Sequence, residues 1–275
     1  MHCIFINLDR QSDRRTFVER NFDRYADPDW TLHRFPAIDA SHLPARFAAG
    51  PLRDGEKACF ASHVGALDRA LELPGDVMIL EDDVWLGPRS AELVNEARGT
   101  LAGTACDLLY PDACIVDPRQ MLDLFLLRRE WEATRRTRQL DLRDLTFAGA
   151  TAYVVREHAK SALAARLATI TRFDVPFDLV LRNLVLGGEL TARAAFPFAT
   201  SLSLHAEQSQ VQPGDTVVAD TCWNAFRRLV CADSETLRVE CPGGFGDALP
   251  ACDVAAITDF ARVLAFQLSP AFPVK

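Results

Sequence analysis

No apolar run in these 275 residues approaches the ~20 residues that a membrane span needs. Met1-His2-Cys3-Ile4-Phe5-Ile6 runs straight into a strand-like segment, so no secretory leader is expected. The eight cysteines include no CxxC pair, which argues against a structural zinc. With no leader to imply an oxidising compartment, they read as free, mostly buried thiols of a cytoplasmic protein. Basic residues are in deficit, 30 Lys and Arg against 38 Asp and Glu, and a net charge of −8 excludes the basic face of a nucleic-acid binder. No Gly-rich GxGxxG turn follows the first strand, which removes the sequence support for a dinucleotide-binding oxidoreductase or a methyltransferase. Internal repeats and low-complexity tracts are absent as well.

The remaining sequence is of ordinary globular composition, 49% hydrophobic and 25% charged. Cys3–Leu8 reads as a buried parallel strand. Asp9 or Ser12 can cap a helix running to about Tyr25, with Phe17, Val18, Phe22 and Tyr25 on its apolar face. Leu32–Ile38 predicts a second strand, and Glu56–Leu73 a helix that Leu73-Pro74-Gly75 breaks. Val77-Met78-Ile79-Leu80 is the strongest strand signal. Helix-forming residues from Arg89 to Arg98 then lead to a strand at Leu108-Leu109-Tyr110.

This alternation predicts an α/β fold with a mainly parallel sheet covered by helices on both faces. Further along, Gln120–Gln139 and Glu157–Ala168 read as helices, Phe147–Val155 as a strand, Phe177–Val185 as a helix and Ala194–Ala199 as a strand. The expected division is a catalytic domain over residues 1–212 and a packed extension over 213–275, ending in a helix near Asp253–Leu268.

Glu81-Asp82-Asp83 follows the strongest strand directly, where ligand sites of such sheets lie. Three adjacent carboxylates repel one another, and a hard divalent cation relieves that cost. Alternation along a strand puts Glu81 and Asp83 on one face and Asp82 on the other. A magnesium or manganese ion held there could bridge to a diphosphate and neutralise a leaving group. Basic residues at Arg10, Arg14 and Arg15 beside a helix start suit phosphate contacts. Cys59, Ser62 and His63 share one side of a helix at spacings of three and four. The basic stretch from Arg128 to Arg138 reads first as a solvated helix face, with an anionic acceptor or an anionic membrane surface as the alternative.

These segments, in order, resemble glycosyltransferase family 25, which includes lipooligosaccharide galactosyltransferases and collagen galactosyltransferases. The resemblance rests on Ile6-Asn7-Leu8 through Arg14-Arg15, Ala37-Ile38-Asp39-Ala40, Gly55–His63, Ile79–Val84, Gly149–Tyr153 and Pro176-Phe177-Asp178. It covers about residues 3–210. Ala40 and Ala58 stand where the family usually has glycine, and Lys57 is unusual at its position. The resemblance implies a GT-A-like fold, a UDP-sugar donor and inversion at the anomeric carbon.

On that basis Asp83 and Glu81 are expected to hold Mn²⁺ or Mg²⁺, with Asp83 the first choice. Asp82, Asn7, Leu8, Arg14 and Asp39 are expected to line the nucleotide. Asp178 is the expected base and His63 the reserve. The hexose, galactose or glucose, would pass to a glycan such as lipopolysaccharide core, in contact with the inner-membrane surface. Alternatives are a peptide or secondary-metabolite acceptor, or a non-catalytic module that binds sugar nucleotides.

Overall fold

The computed structural model describes residues 1–207, 218–245 and 263. Its elements in chain order are β1 (His2–Asn7), α1 (Ser12–Tyr25), β2 (Thr31–Pro36), α2 (Asp54–Ala70), β3 (Val77–Glu81), β4 (Val84–Leu86), α3 (Ser90–Thr100), β5 (Leu108–Tyr110) and β6 (Cys114–Ile115). There follow α4 (Pro118–Thr134), β7 (Arg138–Asp141), β8 (Phe147–Ala148), β9 (Ala152–Val155), α5 (Lys160–Ala168), α6 (Phe177–Leu186), β10 (Ala192–Phe196), β11 (Thr200–Leu202), α7 (Val218–Val230) and α8 (Ser234–Glu240). Both the expected boundary at residue 212 and most of the expected helix at Asp253–Leu268 lie outside the described residues. No helix among the described residues is long and apolar enough to cross a membrane. The seven described cysteines are free.

One seven-stranded sheet in the order β2-β1-β3-β9-β5-β10-β7 carries the fold. β2, β1 and β3 run parallel, as do β5 and β10, while β9 lies antiparallel between β3 and β5, and β7 antiparallel at the edge. The architecture is thus the expected α/β sandwich with a mixed sheet. Alternation along the strands sorts the core into two layers. Cys3, Phe5, Met78 and Leu80 pack with Val18 and Phe22 of α1 and with Leu93, Val94 and Ala97 of α3. Ile4, Ile6, Val77 and Ile79 face the other way, toward Phe60 and Leu67 of α2 and Leu163 and Leu181 of α5 and α6.

The structure departs from the sequence reading in three places. The helix expected to Gln139 ends at Thr134, where Arg135 turns left-handed at φ 57°, and Arg138–Asp141 forms the edge strand instead. The basic stretch around it is not a free charged face. Arg128 is buried, reaching the Cys231 and Ala232 carbonyls and Glu132, while Arg129 pairs with Glu132 and Arg138 with Glu130. Arg135 lies over the Trp131 ring. The strand expected over Phe147–Val155 is cut in two at Gly149, whose φ of 86° suits glycine. β8 pairs with β6, and β9 enters the main sheet. Finally, the strand expected at Ala194–Ala199 is β10, which starts at Ala192 and stops at Phe196, and a separate strand, β11, follows at Thr200–Leu202 and pairs with β4.

Candidate active site

The parity that sorts the core continues past the end of β3 and sets the direction of each acid. Glu81 keeps the parity of Val77 and Ile79, so it emerges on the α2 side and meets His63. The Glu81 Oε1 to His63 Nε2 distance is 3.0 Å. Asp82 emerges on the α1 side. Its Oδ1 accepts from Arg14 Nη1 and its Oδ2 from Asn7 Nδ2, each at 2.8 Å. Asn7 ends β1 and Arg14 lies in the first turns of α1, so neighbouring strand ends and one helix lock this carboxylate from both oxygens. Asn7 is held in turn, its Oδ1 accepting from Arg34 Nε at 3.2 Å.

His63 is fully buried, stacked on Phe177 with ring centroids 4.3 Å apart and planes within 8°. Its Nδ1 lies 3.1 Å from the Tyr153 hydroxyl. Burial pushes Tyr153 well above its ordinary value, so the phenol keeps its proton. On the other side Glu81 is held ionised and accepts only, so Nε2–H donates to it. Burial opposes ionisation of Glu81, yet the His63 hydrogen bond and the nearby Arg227 and Arg14 hold its pKa below the ordinary value.

Asp83 is the opposite case. Burial, then the charges of Glu81 and Asp82, push its pKa up to about 7. Its Oδ1 is buried with no hydrogen-bond partner. A buried carboxyl oxygen left unpaired beside two other acids is where a hard cation would be accommodated, and oxygen donors suit Mg²⁺ or Mn²⁺. Cys59, His63 and Glu81 also bring one donor atom each within 4.8 Å of one another. That set suits a hard cation less well, because burial and four nearby carboxyl groups push the Cys59 thiol well up and both His63 nitrogens are engaged.

Two cavities meet at these residues. The first, about 210 Å³, is lined by Leu8, Arg10, Arg14, Ile38, Ser62 and the three acids, among others. The second, about 540 Å³, is lined by Glu56, Gly149, Phe177, Asp178, Arg182 and Trp223, among others. Cys59, His63 and Glu81 line both.

Leu8, Arg14, Asp82, Glu81, Asp83 and His63 therefore converge on the first cavity as the sequence suggested. Asn7 stays beneath it and acts through Asp82. Asp39 stands outside that lining, pairing with Arg10 and accepting from Ser41 to cap a short 3₁₀ turn. Asp178 lines only the second cavity, its Oδ2 accepting from the Gly149 amide at 2.9 Å.

Ser62, on the helix side the sequence picked out with Cys59 and His63, accepts at Oγ from the Ile38 amide and fixes the loop after β2 to α2. Two other residues at the site, Arg227 and Trp223, were not anticipated. Arg227 is buried on α7, 2.7 Å from Asp112 and close enough in charge to act on Glu81 and Asp83. Trp223 precedes it by one helical turn on the same face, and that spacing of four is the signal the sequence offered.

A family model described as glycosyltransferase family 25 (LPS biosynthesis protein) matches residues 1–181. A protein named glycosyltransferase 25 family member from Anopheles gambiae is 32% identical over 104 residues, covering 32% of this chain and 17% of the relative. One of the same name from Aedes aegypti is 29% identical over 118 residues, 35% of this chain and 19% of the relative. The matched stretch thus spans under a fifth of either insect protein.

Proposed function

The chain belongs to glycosyltransferase family 25, and from that premise we propose that it transfers a hexose from a UDP-sugar to an acceptor hydroxyl with inversion. The observation carrying this reading is the division of labour among three adjacent acids. Asp82 is spent on Arg14 and Asn7, which leaves Glu81 and Asp83 directed at a cavity with arginines on its wall. Glu81 and Asp83 would hold Mn²⁺ or Mg²⁺, which supplies positive charge to the departing diphosphate. The nucleotide occupies the first cavity against Leu8 and Ile38, with Arg10 and Arg14 on the phosphate side.

Inversion needs one in-line displacement, with acceptor and leaving group on opposite sides of the anomeric carbon. Two cavities that share Glu81, His63 and Cys59 suit that arrangement. Asp178, on the far cavity and oriented by the Gly149 amide, takes the proton of the attacking hydroxyl. His63 is less suited to that task, because both ring nitrogens are engaged; it positions Glu81 instead. The acceptor is a glycan of the lipopolysaccharide-core kind, in keeping with the description of the family. A lipid-linked acceptor of that kind would be met at the inner-membrane surface.

UDP release from UDP-glucose and UDP-galactose, with Mn²⁺, Mg²⁺ or a chelator, tests the reading. Release should require the metal and fall by about 100-fold or more in Asp83→Ala, with the circular-dichroism spectrum unchanged. Metal-independent release, or an Asp83→Ala variant as fast as the parent, would reject it.

A further inference from the structure

The second cavity combines a flat aromatic side chain, apolar walls and a few polar groups. Its acids are Glu81, shared with the first cavity, and Glu56 and Asp178. One helical turn beyond Asp178 on α6 stands Arg182, whose Nε is buried without a hydrogen-bond partner among the described residues and whose Nη1 reaches the Phe147 carbonyl at 3.5 Å. Trp223 lines the same cavity half-buried. The Arg227–Asp112 pair, buried at both ends one turn along α7, holds that helix in place beneath it. An indole on a helix held in this way has only two side-chain torsions to order when a ligand covers it. Both side chains line the cavity that holds Asp178 and neither lines the first cavity, where Arg10 and Arg14 stand.

Resting on the donor assignment above, we propose that Trp223 and Arg182 are the acceptor-specificity residues: Trp223 stacks on the C–H face of one acceptor sugar ring, and Arg182 donates to that ring's oxygens. The hydroxyl to be glycosylated then points inward, toward Asp178. Selection arises because a pyranose offers a flat apolar face with hydroxyls at its rim, which an indole beside a guanidinium matches and an extended peptide does not.

The test uses the full chain and three probes: methyl β-D-glucopyranoside, methyl β-D-galactopyranoside and a hydroxyl-bearing tripeptide. Binding is read by saturation-transfer NMR without donor, and UDP release from the UDP-hexose without acceptor is read separately. Trp223→Ala should weaken at least one glycoside by about 10-fold, as loss of a stacked ring does elsewhere, while donor-only UDP release stays within about 2-fold. Trp223→Phe should restore most of the affinity. Trp223→Leu, apolar but not flat, should behave like alanine, and it serves if the alanine variant does not fold. Arg182→Gln should weaken the same glycoside by about 10-fold or more, the range of one hydrogen bond to a charged group.

Glycoside binding unchanged in Trp223→Leu, a tripeptide as sensitive as the glycosides, or no glycoside binding by the parent would each overturn the proposal. If the parent releases no UDP yet binds a glycoside through Trp223, the donor reading fails and this one stands. If UDP release is intact while glycoside binding ignores Trp223, only this one fails.

Discussion

The two cavities that meet at Glu81 are built on different terms. The first is a product of strand ends: Asn7 closes β1, Glu81 closes β3 with Asp82 and Asp83 just beyond it, and Arg14 rises from the helix that β1 feeds. Asp82 is paired through both oxygens and Glu81 through one, while a buried Asp83 oxygen has no partner among the described residues. The second is collected from distant parts of the chain: Glu56 from α2, Gly149 between β8 and β9, Asp178 and Arg182 from α6 and Trp223 from α7. The contrast suits the chemistry. A nucleotide diphosphate has a fixed shape and charge that a rigid, short-range site can match. Acceptors differ, and a wall assembled from several elements can change one piece without disturbing the others.

The sharpest way to break this comparison is Asp178→Asn. It should lower kcat for transfer by about 10²- to 10⁴-fold, the usual contribution of a general base, while UDP binding measured by calorimetry is unchanged. Normal turnover would move the base to the donor side and erase the division between the cavities. Next in size is Arg227→Met, which leaves Asp112 buried and unpaired and should cost about 3–5 kcal/mol in urea unfolding. An Asp112→Asn, Arg227→Met double variant should regain part of that loss, because the stranded charge is then gone. Failure to regain any of it would show that α7 is held by something other than this pair.

A smaller effect belongs to the donor side. Asp83 keeps its proton in the fold up to about pH 7, whereas the unfolded chain releases it near its ordinary value of 3.8. The metal-free fold binds more protons in that window, so this group's contribution to stability falls as pH rises from about 4 to about 7. Mn²⁺ favours the ionised carboxylate, so the gain in Tm on adding it over chelator should grow across the same window. A gain independent of pH would remove Asp83 from the metal.

The direction of the acids at the end of β3 was legible in the sequence because side-chain alternation is local. The run Val77–Leu80 is apolar on both faces, which fixed it as a central strand, and period-2 alternation then sent Glu81 and Asp82 to opposite faces. Alternation could not say what waits on each face. The pairing of Asp82 with Arg14 joins residues 68 apart, and that of Glu81 with His63 depends on how α2 lies over the sheet. Asp39 read as a nucleotide contact from its motif, yet its carboxylate caps a turn and pairs with Arg10. The arginines from 128 to 138 read as one basic face. A left-handed residue at Arg135 ended the helix, and buried carbonyls, Glu130, Glu132 and the Trp131 ring took up four of them.

The sequence by itself determined that a central strand delivers three carboxylates to the edge of an α/β sheet, because side-chain alternation and continuous apolar runs are local properties of the chain. Only the tertiary structure decided which carboxylate is spent on Arg14 and Asn7, which is lent to His63 and which is left without a partner. Those outcomes depend on side chains brought together across 18 to 75 residues, and burial then turns such neighbours into differences in charge state that no local pattern encodes.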